Sequence, residues 1–231
     1  MKTIGLIGGM SWESTVPYYR TINETIKARL GGLHSAKLVL VSVDFAEVEE
    51  LQRAGDWSAA GRQMAEAATS LEKAGAECVV LCTNTMHKVA PAIEAAVRIP
   101  LLHIADATAA AIREADVTTV GLLGTRFTME QDFYKERLVR EHGIAVRVPD
   151  ADGRDLVHRV IYEELCLGTI LDASRQAVRR VMARLVDDGA QAIILGCTEL
   201  TLLVGASDAG VPLFDTTRLH ALRAAEWALD V

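Results

Sequence analysis

Short apolar runs of strand length alternate along the chain with longer segments whose apolar positions recur at helical period. The runs are Ile4 to Ile7, Leu38 to Val43, Cys78 to Cys82, Val117 to Leu123, Ile144 to Val148 and Ala192 to Leu195. Their near-continuous apolarity predicts strands covered on both faces, as in a mainly parallel sheet flanked by helices. Helices are predicted over Pro17 to Leu30, Ser58 to Ala74, Lys88 to Val97, Met129 to His142, Asp155 to Leu165, Ser174 to Asp188 and Thr217 to Leu229. In the first of these, Tyr19, Ile22, Ile26 and Leu30 share one face, Pro17 suits a first turn, and Gly31-Gly32 ends the helix. The alternation of strands and helices places the chain in the α/β class.

The pattern also repeats. Gly5-Leu6-Ile7-Gly8 returns as Gly121-Leu122-Leu123-Gly124, and Gly75-Ala76-Glu77-Cys78-Val79-Val80-Leu81 as Gly189-Ala190-Gln191-Ala192-Ile193-Ile194-Leu195. Pro100-Leu101-Leu102 returns as Pro212-Leu213-Phe214. Each marker alone is ordinary strand chemistry, but all three keep their order and nearly the same offset, so we read a duplicated unit. The expected architecture is two similar three-layer αβα lobes related by a pseudo-twofold. The first lobe is residues 1-100 plus 211-231 and the second is residues 101-210, with a cleft between them. Open α/β sheets bind ligands at the carboxyl ends of their strands, so the loops leaving equivalent strands are where chemistry is expected.

Composition narrows the ligand. The chain has 231 residues, half of them hydrophobic, with Lys plus Arg at 24 against Asp plus Glu at 31. A net charge of −7 spread along the sequence argues against nucleic acid and anionic membrane as partners and leaves a small molecule. No apolar stretch approaches a membrane span, and the first residues enter a strand rather than a signal sequence, so a cytoplasmic protein is expected. There the four cysteines, Cys78, Cys82, Cys166 and Cys197, are expected as thiols. Cys82 and His87 lack a second Cys or His pair at zinc-like spacing, so no metal site is expected.

The strand Val79 to Leu81 runs into Cys82-Thr83-Asn84-Thr85-Met86-His87, and its counterpart Ile193 to Leu195 runs into Gly196-Cys197-Thr198-Glu199. In the repeat, Thr83 pairs with Cys197 and Asn84 with Thr198. Proton-transfer groups on opposite walls of one cleft fit a reaction that removes a proton from a carbon and returns one to its other face. The turn Gly8-Gly9-Met10-Ser11 offers backbone N–H groups to a carboxylate. Asn84, Thr85, Thr198 and, through the duplicate turn at Gly124, Thr125 supply amide and hydroxyl contacts. No Gly-x-Gly-x-x-Gly or Gly-Lys-Ser/Thr spacing points to a nucleotide. None of the six lysines lies at the paired strand ends, where a Schiff base to pyridoxal phosphate would need one.

The strand and Gly-Gly-Met turn of Ile4 to Met10, Asn-Thr-x-His at Asn84 to His87 and Gly-Cys-Thr-Glu at Gly196 to Glu199 together resemble the aspartate/glutamate racemase family, over essentially the whole chain. Gly8 to Tyr19, Cys82 to Val89, His103 to Ala107 and Gly124 to Phe133 look most like its enterobacterial broad-specificity amino-acid racemase branch. The resemblance implies a cofactor-independent two-base mechanism: one thiolate takes the α-proton and a group on the opposite face returns one. It implies Cys197 and Thr83 as the catalytic pair, Met10, Gln52, Asn84, Thr85, Thr125 and Thr198 as substrate contacts, an amino-acid substrate and a homodimer. A cysteine is usual where this chain has Thr83, which is a much weaker acid, so unequal rates for the two enantiomers are expected, the L form being the faster. Aspartate-specific relatives carry a basic residue where Tyr162-Glu163-Glu164-Leu165 runs into Cys166, so a broader substrate range is expected. A thiolate base requires a depressed thiol pKa at Cys197. Two other readings stay open: an isomerase or decarboxylase of the same fold with one catalytic cysteine, and a two-lobed amino-acid binding protein with a degenerate site. His103 and Asp106 read as packing groups, and Glu199 either as a partner of Cys197 or as a helix cap.

Overall fold

A computed structural model describes residues 1–230. The chain divides into two units, Met1–Ile104 together with the segment from His220 onward, and Ala105–Leu219. The passages between them fall inside helices.

The first unit is built on β1 (Ile4–Gly8), β2 (Leu38–Ser42), β3 (Cys78–Leu81) and β4 (Leu101–Leu102), all parallel, in the order β2-β1-β3-β4. Its helices are α1 (Trp12–Leu30), α2 (Phe45–Ala54), α3 (Trp57–Lys73) and α4 (Ala90–Ala96), preceded by a 3-10 turn at Thr85–Val89. The central strands β1 and β3 are buried at every position because both faces are covered. Ile4, Leu6, Cys78, Val80 and Cys82 pack on one side with Tyr18, Ile22 and Ile26 of α1, while Ile7, Val79 and Leu81 pack on the other with Met64, Ala68 and Leu71 of α3.

The second unit repeats the plan. Here β5 (Thr119–Gly124), β6 (Ala145–Arg147), β7 (Ala192–Gly196) and β8 (Leu213–Asp215) form a parallel sheet in the order β6-β5-β7-β8. Its helices are α5 (Ile104–Glu114), α6 (Arg126–Glu130), α7 (Asp132–His142), α8 (Ala151–Arg159), α9 (Asp172–Asp187), α10 (Leu200–Leu203) and the start of α11 (Thr216–Leu229). The identical strand order in the two sheets matches the α/β architecture and the duplication read from the sequence.

Several elements depart from the sequence pattern. Helix α1 starts at Trp12 rather than Pro17, because Ser11 accepts a hydrogen bond from the Ser14 N–H and caps it. Pro17 then sits inside the helix, where it has no N–H to give to the Glu13 carbonyl. Helices α2 and α5 went unpredicted, although Asp44 caps α2 through the Ala46 N–H. The predicted Met129 to His142 helix is two helices broken at extended Gln131. The predicted Asp155 to Leu165 helix begins earlier, where Asp150 caps at the Gly153 N–H, and gives way to a π-helical turn at Val160–Glu164. No helix of the described residues is long and apolar enough to cross a membrane.

Candidate functional site

Each unit carries polar residues at the carboxyl end of its central strands. In the first unit β1 ends in Gly8-Gly9-Met10-Ser11. Gly9 adopts φ +93, and a Cβ there would lie 2.2 Å from the Val43 carbonyl oxygen, so only glycine fits this turn. The Gly9 N–H that was expected to face a carboxylate donates instead to Thr15 Oγ1 at 2.9 Å. The Met10 side chain joins the apolar core beside Met86.

The segment after β3 separates its side chains cleanly. Cys82 is fully buried against α1, Thr83 is half-buried, and Asn84 and Thr85 are buried. Burial pushes the Cys82 thiol far above its ordinary range, as it does that of Cys78, which rises to about 12. Neither thiol is a base at neutral pH. Gln52, buried on α2, donates from Nε2 to the Met86 sulfur at 3.1 Å and so lies against the same segment. The His87 imidazole closes the turn from below, with Nδ1 2.8 Å from the Thr83 carbonyl oxygen.

In the second unit β7 delivers Cys197. Its thiol donates to Glu199 Oε2 at 2.9 Å, and Glu199 is itself buried, with no side-chain cap on α10. Burial first, and then the Glu199 charge, push the Cys197 thiol well above its ordinary value. The expected depression of this pKa is therefore reversed. Low dielectric and a neighbouring carboxylate both disfavour a second negative charge. At neutral pH Cys197 is a thiol, a proton donor, with Glu199 as the adjoining acceptor. Glu199 thus partners the thiol rather than capping the helix. Cys166 is close enough that a charge on it would raise Cys197 further, and both pack on the same apolar cluster.

Thr198 Oγ1 lies 3.0 Å from Thr217 Oγ1, while the Thr198 carbonyl accepts from Thr201 Oγ1 at 2.7 Å. Thr125, buried after β5, caps α6 and lies 3.2 Å from Thr128 Oγ1. It thereby repeats the Ser11–Ser14 cap that follows β1. Asp106 binds Arg137 through both oxygens, at 2.6 and 2.8 Å, and His142 at 2.9 Å. Burial opposes its charge, but these partners hold the Asp106 carboxyl below the usual range. The structure thus places Met10, Thr83, Asn84 and Thr85 at strand ends of the first unit, with Gln52 of α2 against Met86, and Thr125, Cys197 and Thr198 at strand ends of the second. The helix α2 that presents Gln52 and the acceptor role of Glu199 were the parts the sequence pattern left open. Among the described residues no cluster of three or more His, Cys, Asp or Glu side chains has the form of a metal site.

Comparison with known proteins gives a consistent picture. The Asp/Glu/Hydantoin racemase family model matches residues 7–224. A Yersinia pestis protein described as a candidate Asp/Glu racemase is 61% identical, with a TM-score of 0.94 over 100% of both chains. An aspartate racemase homologue from Pyrococcus horikoshii OT3 is 35% identical, with a TM-score of 0.86, again over 100% of both chains. The broad specificity amino-acid racemase RacX of Bacillus subtilis (strain 168) is 21% identical over 93% of this chain and 92% of its own. With a family model spanning nearly the whole sequence, the chain belongs to the Asp/Glu/hydantoin racemase family.

Proposed function

We propose that this protein racemises aspartate, glutamate or a related polar amino acid without a cofactor, by moving a proton off and onto Cα. Cys197 serves as thiol and thiolate on one face of the substrate, and Thr83 serves the other. Met10, Gln52, Asn84, Thr85, Thr125 and Thr198 hold the substrate. The observation that carries this reading is the Cys197 thiol seated 2.9 Å from buried Glu199 at the carboxyl end of β7, with Thr83 at the repeat-equivalent position after β3.

The charge state orders the steps. Cys197 rests as a thiol, so it reprotonates a carbanion directly. To act as a base it must first lose its proton, and Glu199 is the adjoining group that can take it. A substrate α-ammonium entering the site offsets the Glu199 charge, the second cause after burial of the raised thiol pKa. Thiolate attack on the Cα–H bond then leaves a thiol and a carbanion, and a proton from the opposite face completes inversion. In the L-to-D direction Thr83 gives its proton and regains one from solvent, whereas in the D-to-L direction it must take the Cα proton as an alkoxide, a far scarcer base than a thiolate. At saturation the L form therefore turns over faster, while kcat/KM stays equal in the two directions. Equilibrium stays at equal enantiomers, because their free energies are equal.

The test is incubation with saturating L- and D-aspartate, L- and D-glutamate and uncharged amino acids in deuterated water, followed by mass and chirality analysis. The expected result is deuterium at Cα with inversion, faster from the L enantiomer, and lost in C197A. Absence of exchange for every amino acid, or exchange unchanged in C197A, defeats the proposal. Binding without exchange would favour an amino-acid binding protein.

A further inference from the structure

We infer that His87 is a positioning residue, which holds in one tautomer the backbone turn that presents Thr83. This inference rests on the catalytic reading of Thr83.

The tautomer follows from the partners. His87 Nε2 receives the Ile104 backbone N–H at 3.2 Å. A backbone N–H can only donate, so Nε2 carries no proton and the ring hydrogen sits on Nδ1. That hydrogen points at the Thr83 carbonyl oxygen, 2.8 Å away. The ring is 2% exposed, so water does not compete for either bond. One imidazole thus ties the end of β3 to the first residue of α5.

A second imidazole secures the neighbouring strand. His220 Nε2 lies 2.6 Å from the Leu102 carbonyl oxygen, which can only accept, so Nε2 holds the hydrogen and Nδ1 receives the Tyr18 hydroxyl at 2.9 Å. The two rings lie 5.8 Å apart, and His103 lies 4.4 Å from His87. Leu102 and Ile104, on either side of His103, are therefore gripped by two histidines of opposite tautomer. Helices α1 and α11 close the cluster through Tyr18 and His220.

Among the described residues the second unit shows no such clasp. The position equivalent to His87 is Thr201, and the Cys197 carbonyl accepts the Leu200 N–H, at 3.2 Å, in the ordinary way of a helical turn. Cys197 reacts through a thiol already oriented by Glu199. Thr83 is a weaker acid on a short side chain, so its reach depends on where its backbone is held. A displacement near 1 Å can cost about a hundredfold in rate, and the His87 bond is what fixes the Thr83 carbonyl.

Three variants separate the two halves of the imidazole. In H87N the amide nitrogen stands near Nδ1 and can still donate to the Thr83 carbonyl. In H87Q the amide oxygen reaches the Nε2 position and can accept from Ile104, but nothing donates to Thr83. H87L removes both. Amide hydrogen exchange of residues 82–87 should quicken in H87Q and H87L and be restored in H87N. The kcat for aspartate should fall about tenfold or more in H87Q and H87L with little change in KM, and recover in H87N. In a T83A background H87Q should add no further loss. Equal exchange in H87N and H87Q overturns the inference, as does a full additional loss of kcat on adding H87Q to T83A. The catalytic reading fails separately, if T83A alone retains the parent kcat.

Discussion

At the scale of single residues the decisive contrast is between thiols that can react and thiols that cannot. Cys78 and Cys82 are locked in apolar packing, whereas Cys197 shares its proton axis with a carboxylate. Replacing Glu199 by Gln removes the charge that opposes thiolate formation. The Cys197 pKa should then move down, although burial, the larger cause, still holds it up. The pH dependence of iodoacetamide alkylation, followed in a C166S background, should show its midpoint at lower pH in E199Q. An unmoved midpoint would mean that the carboxylate does not govern the thiol. Racemisation should nevertheless slow in E199Q, because the proton of Cys197 loses its acceptor. On the other face, T83C exchanges a hydroxyl for a thiol and should raise turnover of the slower enantiomer, narrowing the gap between initial rates at saturating L- and D-aspartate.

The elements explain how much the sequence could reveal. Strand runs were legible because parallel strands buried on both faces must be apolar at every position, as Ile4 to Ile7 and Ala192 to Leu195 are. Cys197 and Glu199 were legible as a motif, but their hydrogen bond and the upward shift of the thiol depend on burial that only packing creates. Helix α2 was missed because its 10 residues carry three glutamates and only Val48 and Gln52 are buried. The breaks at Gln131 and at the π-helical turn leave no mark in composition. The turn after β1 was legible only in part: the glycines announce a tight backbone, while the capture of the Gly9 N–H by Thr15, six residues on, needs the folded helix. Two measurements belong to this scale. G9A forces a Cβ against the Val43 carbonyl at positive φ and should cost more than about 2 kcal/mol in urea unfolding. T125V removes the cap of α6 and should cost about 1 kcal/mol; a loss of substrate affinity beyond that would show the hydroxyl serving the ligand as well.

For the whole molecule, the same burial that silences the core thiols links stability to pH. In the unfolded chain a cysteine ionises near 9.0, whereas folded Cys78 does so only at about 12. Cys82, Cys197 and the Tyr134 hydroxyl are displaced in the same direction, chiefly by burial. A folded pKa raised above the unfolded one gives stability that is complete below the unfolded value and is lost as pH rises through the window between the two. For Cys78 that window runs from 9.0 to about 12, and at 1.36 kcal/mol per pH unit it removes about 4 kcal/mol. Domains of this kind hold only about 5–15 kcal/mol in total. The protein should therefore resist urea uniformly between pH 7 and 8.5 and lose midpoint concentration steeply from pH 9 to 10.5. C78A should start from a lower midpoint at pH 7, because it leaves a cavity between β3 and α1, yet decline about 1.4 kcal/mol less per pH unit above 9. Parallel declines in C78A and the parent would show that Cys78 ionises as easily in the folded chain as in the unfolded one, and that its place against α1 is not sealed.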